Sequence, residues 1–343
     1  MSTKPGILYI GNKLTAHGRT PGNIDTLGPL LEGEGYTVYY SSSKLNKFSR
    51  LADMLAAIWR YRSKVDVVLI DTFSTSAFYF AWLCGLLCNW LNIKYMPILR
   101  GGNLPYRMRI SPAKCKQLFG NSWKNIAVSV YLQNQLQDMG LHSILIPNHI
   151  ELDNYLFRHR IVLTPKLLWV RAFHKTYNPQ MAIEVAAALS KYNPGLEITM
   201  VGPDLDGSME QCKVLAARLG VEKHIRFTGT LSKKEWTTLA QDVDIFINTT
   251  NYDNLPVSVI EAMALGIPVV STNAGGVPFL IEHGVNGLLV NVCDSAAMKD
   301  AVQRLLVDKE LVSILSANAR SRAAIYDWQV LKHKWQNLLQ QLV

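Results

Sequence analysis

Short runs of aliphatic and β-branched residues alternate with longer helical patterns along the whole chain. Residues 7–11, 37–42, 65–71, 95–99, 126–130 and 143–147 read as strands, each followed by glycine, proline, asparagine or serine or by a polar turn. Helical stretches such as 46–63 and 75–92 separate them. The turn-rich segment Pro147-Asn148-His149-Ile150-Glu151-Leu152-Asp153 interrupts the rhythm, which then begins again. A second set of strands is predicted at 167–170, 197–201, 225–228, 244–248, 268–271 and 287–290. Alternation of this kind predicts α/β domains with a parallel sheet covered on both faces. Two doubly wound domains follow, over 1–155 and 156–325, with a final helix over 326–343. In open α/β sheets ligands bind off the carboxyl ends of the strands, and two facing domains would set both edges along one cleft. The residues just after strands are therefore the ones to read for chemistry.

Composition narrows the class. With 343 residues the chain is long enough for two domains of roughly 150 residues. Half its residues are apolar and 18% are charged, as in a globular chain rather than a disordered one. The longest apolar run, 77–88, falls well short of the roughly 20 residues that a bilayer crossing needs. The opening residues Met1-Ser2-Thr3-Lys4-Pro5 run straight into the first strand, too short a lead for a secretory apolar region. Five cysteines in apolar or helical settings suit a reducing cytoplasm. Cys84 and Cys88 share a helical face without a second pair at zinc spacing, so core packing is expected of them.

Charge is unevenly spread. Residues 1–150 hold 16 Lys and Arg against 7 Asp and Glu, whereas the remainder holds 19 of each. The excess concentrates in 44–64 and 100–124. In the first of these, Phe48, Leu51, Leu55, Ile58 and Trp59 fall near one helical face with basic residues around it. Two readings stay open: a solvated surface helix, or a face resting on anionic lipid. Nucleic acid is not expected, because no nucleic-acid-binding motif accompanies the charge.

The most informative stretch runs from Asp253 to Ser271. A strand ends at Asn248, a Thr/Asn-rich loop follows, and a helix begins near Pro256 or Val257, where the missing proline N–H costs nothing. Gly266 ends this helix and Pro268 prevents its continuation. The open N–H groups of its first turn form an anion site at the sheet edge. Glu261, one turn in, is an acceptor-only side chain suited to a pair of vicinal hydroxyls.

With the acidic pair Asp253 and Glu261 and the run Glu261-Ala262-Met263-Ala264-Leu265-Gly266-Ile267-Pro268-Val269-Val270, the sequence resembles family 4 of the glycosyltransferases. Asp244-Ile245-Phe246, Gly275-Gly276, the segment 284–290 and Pro147-Asn148 extend the resemblance, with His149 where the family has glycine. The resemblance implies a GT-B fold of two Rossmann-like domains: an N-terminal acceptor domain, a C-terminal donor domain, and a final helix that crosses back. It implies that Glu261 binds the ribose and that Asp253, usually Glu in the family, holds donor-sugar hydroxyls. Backbone N–H groups from Asn254, Leu255, Pro256 and Val257, with Ser258 as an extra donor, would contact the sugar and α-phosphate.

Arg171 and Lys175, after the strand Leu168-Trp169-Val170, stand where the family clamps the diphosphate, though Val170 replaces its glycine and the gap is shorter. Fixed cations there offset the charge of a departing nucleoside diphosphate without a metal. The loop 11–22 contains no dinucleotide fingerprint; by resemblance Gly18 approaches the pyrophosphate, while His17 reads as a loop residue. Arg100 replaces a histidine of many relatives. It is expected to reach phosphates or an anionic acceptor, and it cannot act as a base. Asp204-Leu205-Asp206 imitates a metal-binding motif, but the surrounding Gly-Pro-Asp-Leu-Asp-Gly reads as a turn, so no metal is expected.

The resemblance implies a retaining, metal-independent hexosyltransferase-type enzyme that needs no cofactor. Its donor would be a nucleotide-sugar, UDP-sugar being favoured, and its acceptor a hydroxyl of a glycan or lipid-linked molecule in bacterial surface-polysaccharide biosynthesis. The expected location is the cytoplasm, with a peripheral place on the inner face of the membrane left open. Alternatives from the same site are a nucleotide-sugar epimerase, a phosphorylase, or an inactive nucleotide-sugar-binding protein.

Overall fold

The computed structural model describes residues 4–17 and 21–342. It divides into two compact units, one running up to Pro147 and taking back the chain from Leu331, the other spanning Asn148–Val330. The division precedes the expected boundary at 155, and Tyr326 to Val330 stay with the second unit. Ile150 and Tyr155 are the physical reason, because both are buried in the second unit's core together with Tyr326. The Ile150 N–H donates to the Tyr326 carbonyl (2.9 Å), and the Trp328 N–H donates to the Ile150 carbonyl (2.8 Å). The His149 ring meets the Trp328 ring edge-on.

The N-terminal unit holds six parallel strands: β1 (Gly6–Ile10), β2 (Thr37–Ser41), β3 (Val67–Thr72), β4 (Tyr95–Leu99), β5 (Ile126–Ala127) and β6 (Ile144–Leu145). Their order is β2-β1-β3-β4-β5-β6. The fifth is shorter than the pattern predicts because Ser129 begins a helix: its hydroxyl accepts the Leu132 N–H (3.2 Å) and caps Val130–Gln137. The helices Lys47–Tyr61 and Ala77–Trp90 pack on this sheet. Asn46 caps the first of them by accepting from the Phe48 and Ser49 N–H groups.

The C-terminal unit repeats the design with β7 (Lys166–Val170), β8 (Glu197–Val201), β9 (Ile225–Gly229), β10 (Ile245–Asn248), β11 (Val269–Thr272) and β12 (Leu288–Val290). Their order is β12-β11-β10-β7-β8-β9, all parallel. Side chains of a strand alternate between faces, so this sheet builds two cores. Leu167 and Trp169 enter the core with the helix Pro179–Ser190, whereas Leu168 and Phe246 enter the core with the helix Val257–Ala264. The strand order reverses between β7 and β10, and doubly wound sheets open a ligand crevice at the carboxyl end of such a switch. Arg171 follows β7 there, and the loop to Pro256 follows β10.

Candidate active site

The C-terminal unit places Arg171 and Asp253 together at that switch point. The Arg171 guanidinium forms an ion pair with the Asp253 carboxylate. It lies over the Tyr177 ring, 4.9 Å from the centroid. Its Nε is buried with no hydrogen-bond partner among the described residues. Burial pulls the guanidinium below its ordinary pKa. A buried donor without a partner is costly, and a ligand oxygen would satisfy it. The two residues given separate roles by the sequence thus form one unit: the fork is oriented by the carboxylate and keeps a donor in reserve.

Arg171 is held in place by its own backbone. Its N–H donates to the Val201 carbonyl (3.0 Å). Gly202 passes so close to the Arg171 carbonyl that a Cβ would overlap that oxygen, and its φ of +148° is one that side-chain-bearing residues rarely adopt. Gly202→Ala is expected to cost about 1–3 kcal/mol of stability, read as a lower melting temperature. An unchanged Tm would show that the approach of the two loops is not constrained.

Lys175 is placed otherwise. It is exposed, opens the short helix Lys175–Tyr177, and is fastened through its backbone N–H to Asp206 (3.0 Å). Its ammonium group takes no part in the Arg171–Asp253 pair. Asp206 also caps the turn that precedes Ser208, while Asp204 accepts the Gly207 N–H (2.9 Å). These carboxylates do turn chemistry, and no group of three or more His, Cys, Asp and Glu suited to a metal occurs among the described residues.

The loop carrying Asp253 is locked before the helix begins. The Asp253 side chain accepts the Asn254 N–H (2.8 Å). The Asp253 carbonyl accepts the Gly276 N–H (2.9 Å), and Gly276 has no space for a Cβ against the Asn254 carbonyl. This changes the expected set of backbone donors. Asn254 uses its N–H on Asp253 and Pro256 has none, while the Leu255 side chain anchors the loop in the core. Helix geometry leaves open the N–H groups of Val257 and Ser258, in the first turn of Val257–Ala264, beside that of Leu255. The Ser258 hydroxyl is buried there without a hydrogen-bond partner among the described residues.

Glu261 is 4% exposed, one turn further on. Its Oε1 accepts the Tyr155 hydroxyl (2.8 Å) and lies 2.6 Å from the Lys233 ammonium. Burial, with the neighbouring Glu261 carboxylate, pushes the Tyr155 phenol far up, so it remains a hydrogen donor to that carboxylate. Both contacts fall on one oxygen, and none is found to the other among the described residues. Sequence reasoning missed Tyr155 and Lys233, which come from elements distant in the chain. Only a tyrosine in the polar junction 147–155 hinted at the first.

The expectation for Arg100 needs correction. In the N-terminal unit its Nε donates to Asp71 (3.0 Å) and a terminal nitrogen donates to the Tyr9 hydroxyl (3.1 Å), with 5% of its side chain exposed. Tyr9 in turn donates to Asp71 (3.1 Å). A buried carboxylate at the end of β3 requires a cation, and Arg100 supplies it from the end of β4. Its guanidinium is thus buried and engaged by Asp71 and Tyr9 in this structure, where an exposed cation was expected. Gly18, named for the pyrophosphate, lies outside the described residues; His17 nearby contacts the Ser43 carbonyl through its Nε2 (2.9 Å). The buried thiols offer no nucleophile, since burial pushes Cys88 up to about 12.

The two doubly wound units define the GT-B class of glycosyltransferase folds. The family model Glycosyl transferases group 1 matches residues 157–322, which lie within the C-terminal unit. A D-inositol 3-phosphate glycosyltransferase of Corynebacterium jeikeium is 27% identical over 179 residues, covering 51% of this chain and 43% of its own length. The sulfoquinovosyl transferase of Arabidopsis thaliana is 34% identical over 114 residues, 32% of this chain and 22% of its own. The chain thus matches less than half the length of these curated relatives. Among solved structures, a sucrose-phosphate synthase from Thermosynechococcus elongatus superposes with a TM-score of 0.82 at 17% identity, over 99% of both chains. HepE of Anabaena, solved with UDP and glucose, gives 0.78 at 17% identity, over 98% of this chain and all of its own. At this identity the likeness shows the fold.

Proposed function

We propose that the protein is a retaining glycosyltransferase of family 4 that moves a hexosyl group from a nucleotide-sugar, UDP-sugar foremost, to a hydroxyl of a glycan or lipid-linked acceptor in bacterial surface-polysaccharide assembly. The observation that carries it is the pair of buried, unsatisfied donors, Arg171 Nε and Ser258 Oγ, at the carboxyl edge of one sheet. A diphosphate is the anion that would satisfy both and draw on the first-turn N–H groups beside them. The curated relatives that transfer sugars, and the neighbour solved with UDP, favour the same donor class.

In this reading the bond between the anomeric carbon and the phosphate oxygen breaks as the acceptor oxygen bonds to the same face. The acceptor's proton passes to the departing phosphate oxygen. Arg171 offsets the charge on the diphosphate, with Lys175 as an exposed second cation. Asp253 holds sugar hydroxyls, Glu261 holds the ribose, and no metal is required. Product analysis checks this directly: an inverted anomeric centre, or activity lost in EDTA, would overturn it. Donor incubated alone separates the epimerase and phosphorylase readings, which give epimer or need phosphate.

A thermal-shift panel of UDP-, GDP- and ADP-sugars tests the donor, since a ligand that binds the folded state alone raises Tm. The UDP-sugars are expected to raise it most. Tyr155→Phe is expected to weaken nucleotide binding about tenfold, because a hydrogen bond to a charged group is worth roughly 1.5 kcal/mol or more. Calorimetric titration with UDP measures it; an unchanged Kd would separate Tyr155 from the ribose carboxylate.

A further inference from the structure

We propose that the outer face made by the helices Lys47–Tyr61 and Ala77–Trp90 is a docking surface for an anionic lipid bilayer, which the N-terminal unit meets with both helices lying flat. The sequence expectation grouped Phe48 and Trp59 with the inward residues of the first helix. The structure separates them: Ile58 and Met54 are buried in the core, whereas Phe48 is 85% and Trp59 49% exposed. Phe48, Ala52, Ala56 and Trp59 recur at helical spacing and form a second, exposed apolar stripe, bordered by Leu55, which packs partly against the core.

The second helix repeats this. Tyr79, Leu83, Leu86 and Trp90 follow the spacing of one face; all are at least partly exposed, Trp90 at 71%. The helix has no charged residue at all. A surface helix of a soluble unit carries polar residues along its outer face, and this one carries a single exposed amide, Asn89, near its end. The two stripes join where the Trp59 and Trp90 rings stack, 6.2 Å between centroids. Contiguous exposed apolar surface of this kind marks an interaction site.

Charge selects the occupant. Lys44, Lys47, Arg60, Arg62 and Lys64 are exposed around the first helix. Arg62 also lies over the Trp59 ring. Asp53 is the one acid on that helix, and it accepts a hydrogen bond from Ser41, on the sheet side. Beyond it, residues 72–137 contain no Asp or Glu, and apart from the buried Arg100 their six Lys and Arg are at least partly exposed. A cationic rim around an aromatic and aliphatic centre fits a layer with acyl chains beneath anionic headgroups. No helix among the described residues is long and apolar enough to cross a membrane. At 14 residues the second helix spans about 21 Å, short of the roughly 30 Å hydrocarbon core.

Co-sedimentation of the full chain with vesicles tests this, comparing phosphatidylcholine alone with phosphatidylcholine containing phosphatidylglycerol. Binding is expected to the mixed vesicles, at least tenfold above the neutral ones, and to weaken as salt rises. Lys47→Glu with Arg60→Glu should remove the preference for anionic lipid. Phe48→Ser with Trp90→Ser should weaken binding at every salt concentration. Folding of each variant is checked by the thermal shift with UDP, whose candidate site lies in the other unit. Equal binding to both vesicle types, or none with the protein folded, overturns the proposal. So does a dimer in sedimentation equilibrium that Trp90→Ser dissociates, since the face would then belong to a second copy.

Discussion

Arg171→Ala is expected to lower kcat/KM by about 100- to 1,000-fold, the roughly 2.7–4 kcal/mol lost when one preorganised electrostatic stabiliser is removed. The loss should fall mainly on kcat, because the charge that Arg171 meets grows as the diphosphate departs. Two features of the site set the size of the effect. The guanidinium is largely buried, so water does not replace it, and its ion pair with Asp253 is lost as well. Arg171→Lys keeps the charge but not the fork, and only part of the activity should return. Initial rates with a UDP-sugar donor measure both variants. A kcat/KM within threefold of the natural enzyme would remove Arg171 from the chemistry.

The second large effect concerns stability. Asp71→Ala leaves the Arg100 guanidinium buried without its carboxylate, and breaking a buried pair from one side costs about 3–5 kcal/mol. For a protein of this size that corresponds to a fall in Tm on the order of 10 °C. Arg100→Ala should cost a similar amount, and the two losses should not add, since either variant breaks the same contact. Replacing both with apolar residues, Asp71→Leu with Arg100→Met, should recover much of the loss. Calorimetric melting of the four variants decides the matter. Arg100→Ala with an unchanged Tm and abolished turnover would return Arg100 to the role that the sequence suggested for it.

That reversal shows what the chain makes legible and what it hides. All twelve strands stand in the sequence, because strands buried on both faces read as unbroken aliphatic runs such as Val67-Val68-Leu69-Ile70. Their ends are less clear at β5 and β6, where two-residue strands leave little pattern. Glu261 and Arg171 were legible because each follows a strand or opens a helix in a local pattern. Their partners were not. Tyr155 lies 106 residues from Glu261 and Asp71 lies 29 residues from Arg100, and side-chain pairing at such range leaves no periodicity. Asp71 did leave one trace, as an acid closing an aliphatic strand, and such a residue calls for a cation nearby.

The close approach of Gly276 to the Asn254 carbonyl bears on how this site changes over time. The loop that presents Asp253 is fixed by the backbone contact of its carbonyl with Gly276 and also by the Asp253 side chain, which accepts the Asn254 N–H. Side-chain identity at 253 is therefore coupled to the path of the chain. A lineage, or an engineer, that exchanges aspartate for glutamate changes two things at once, the reach of the carboxylate and the bond that pins the next residue. On the proposed reading, donor preference and loop path move together, on a mount where Gly276 tolerates no side chain.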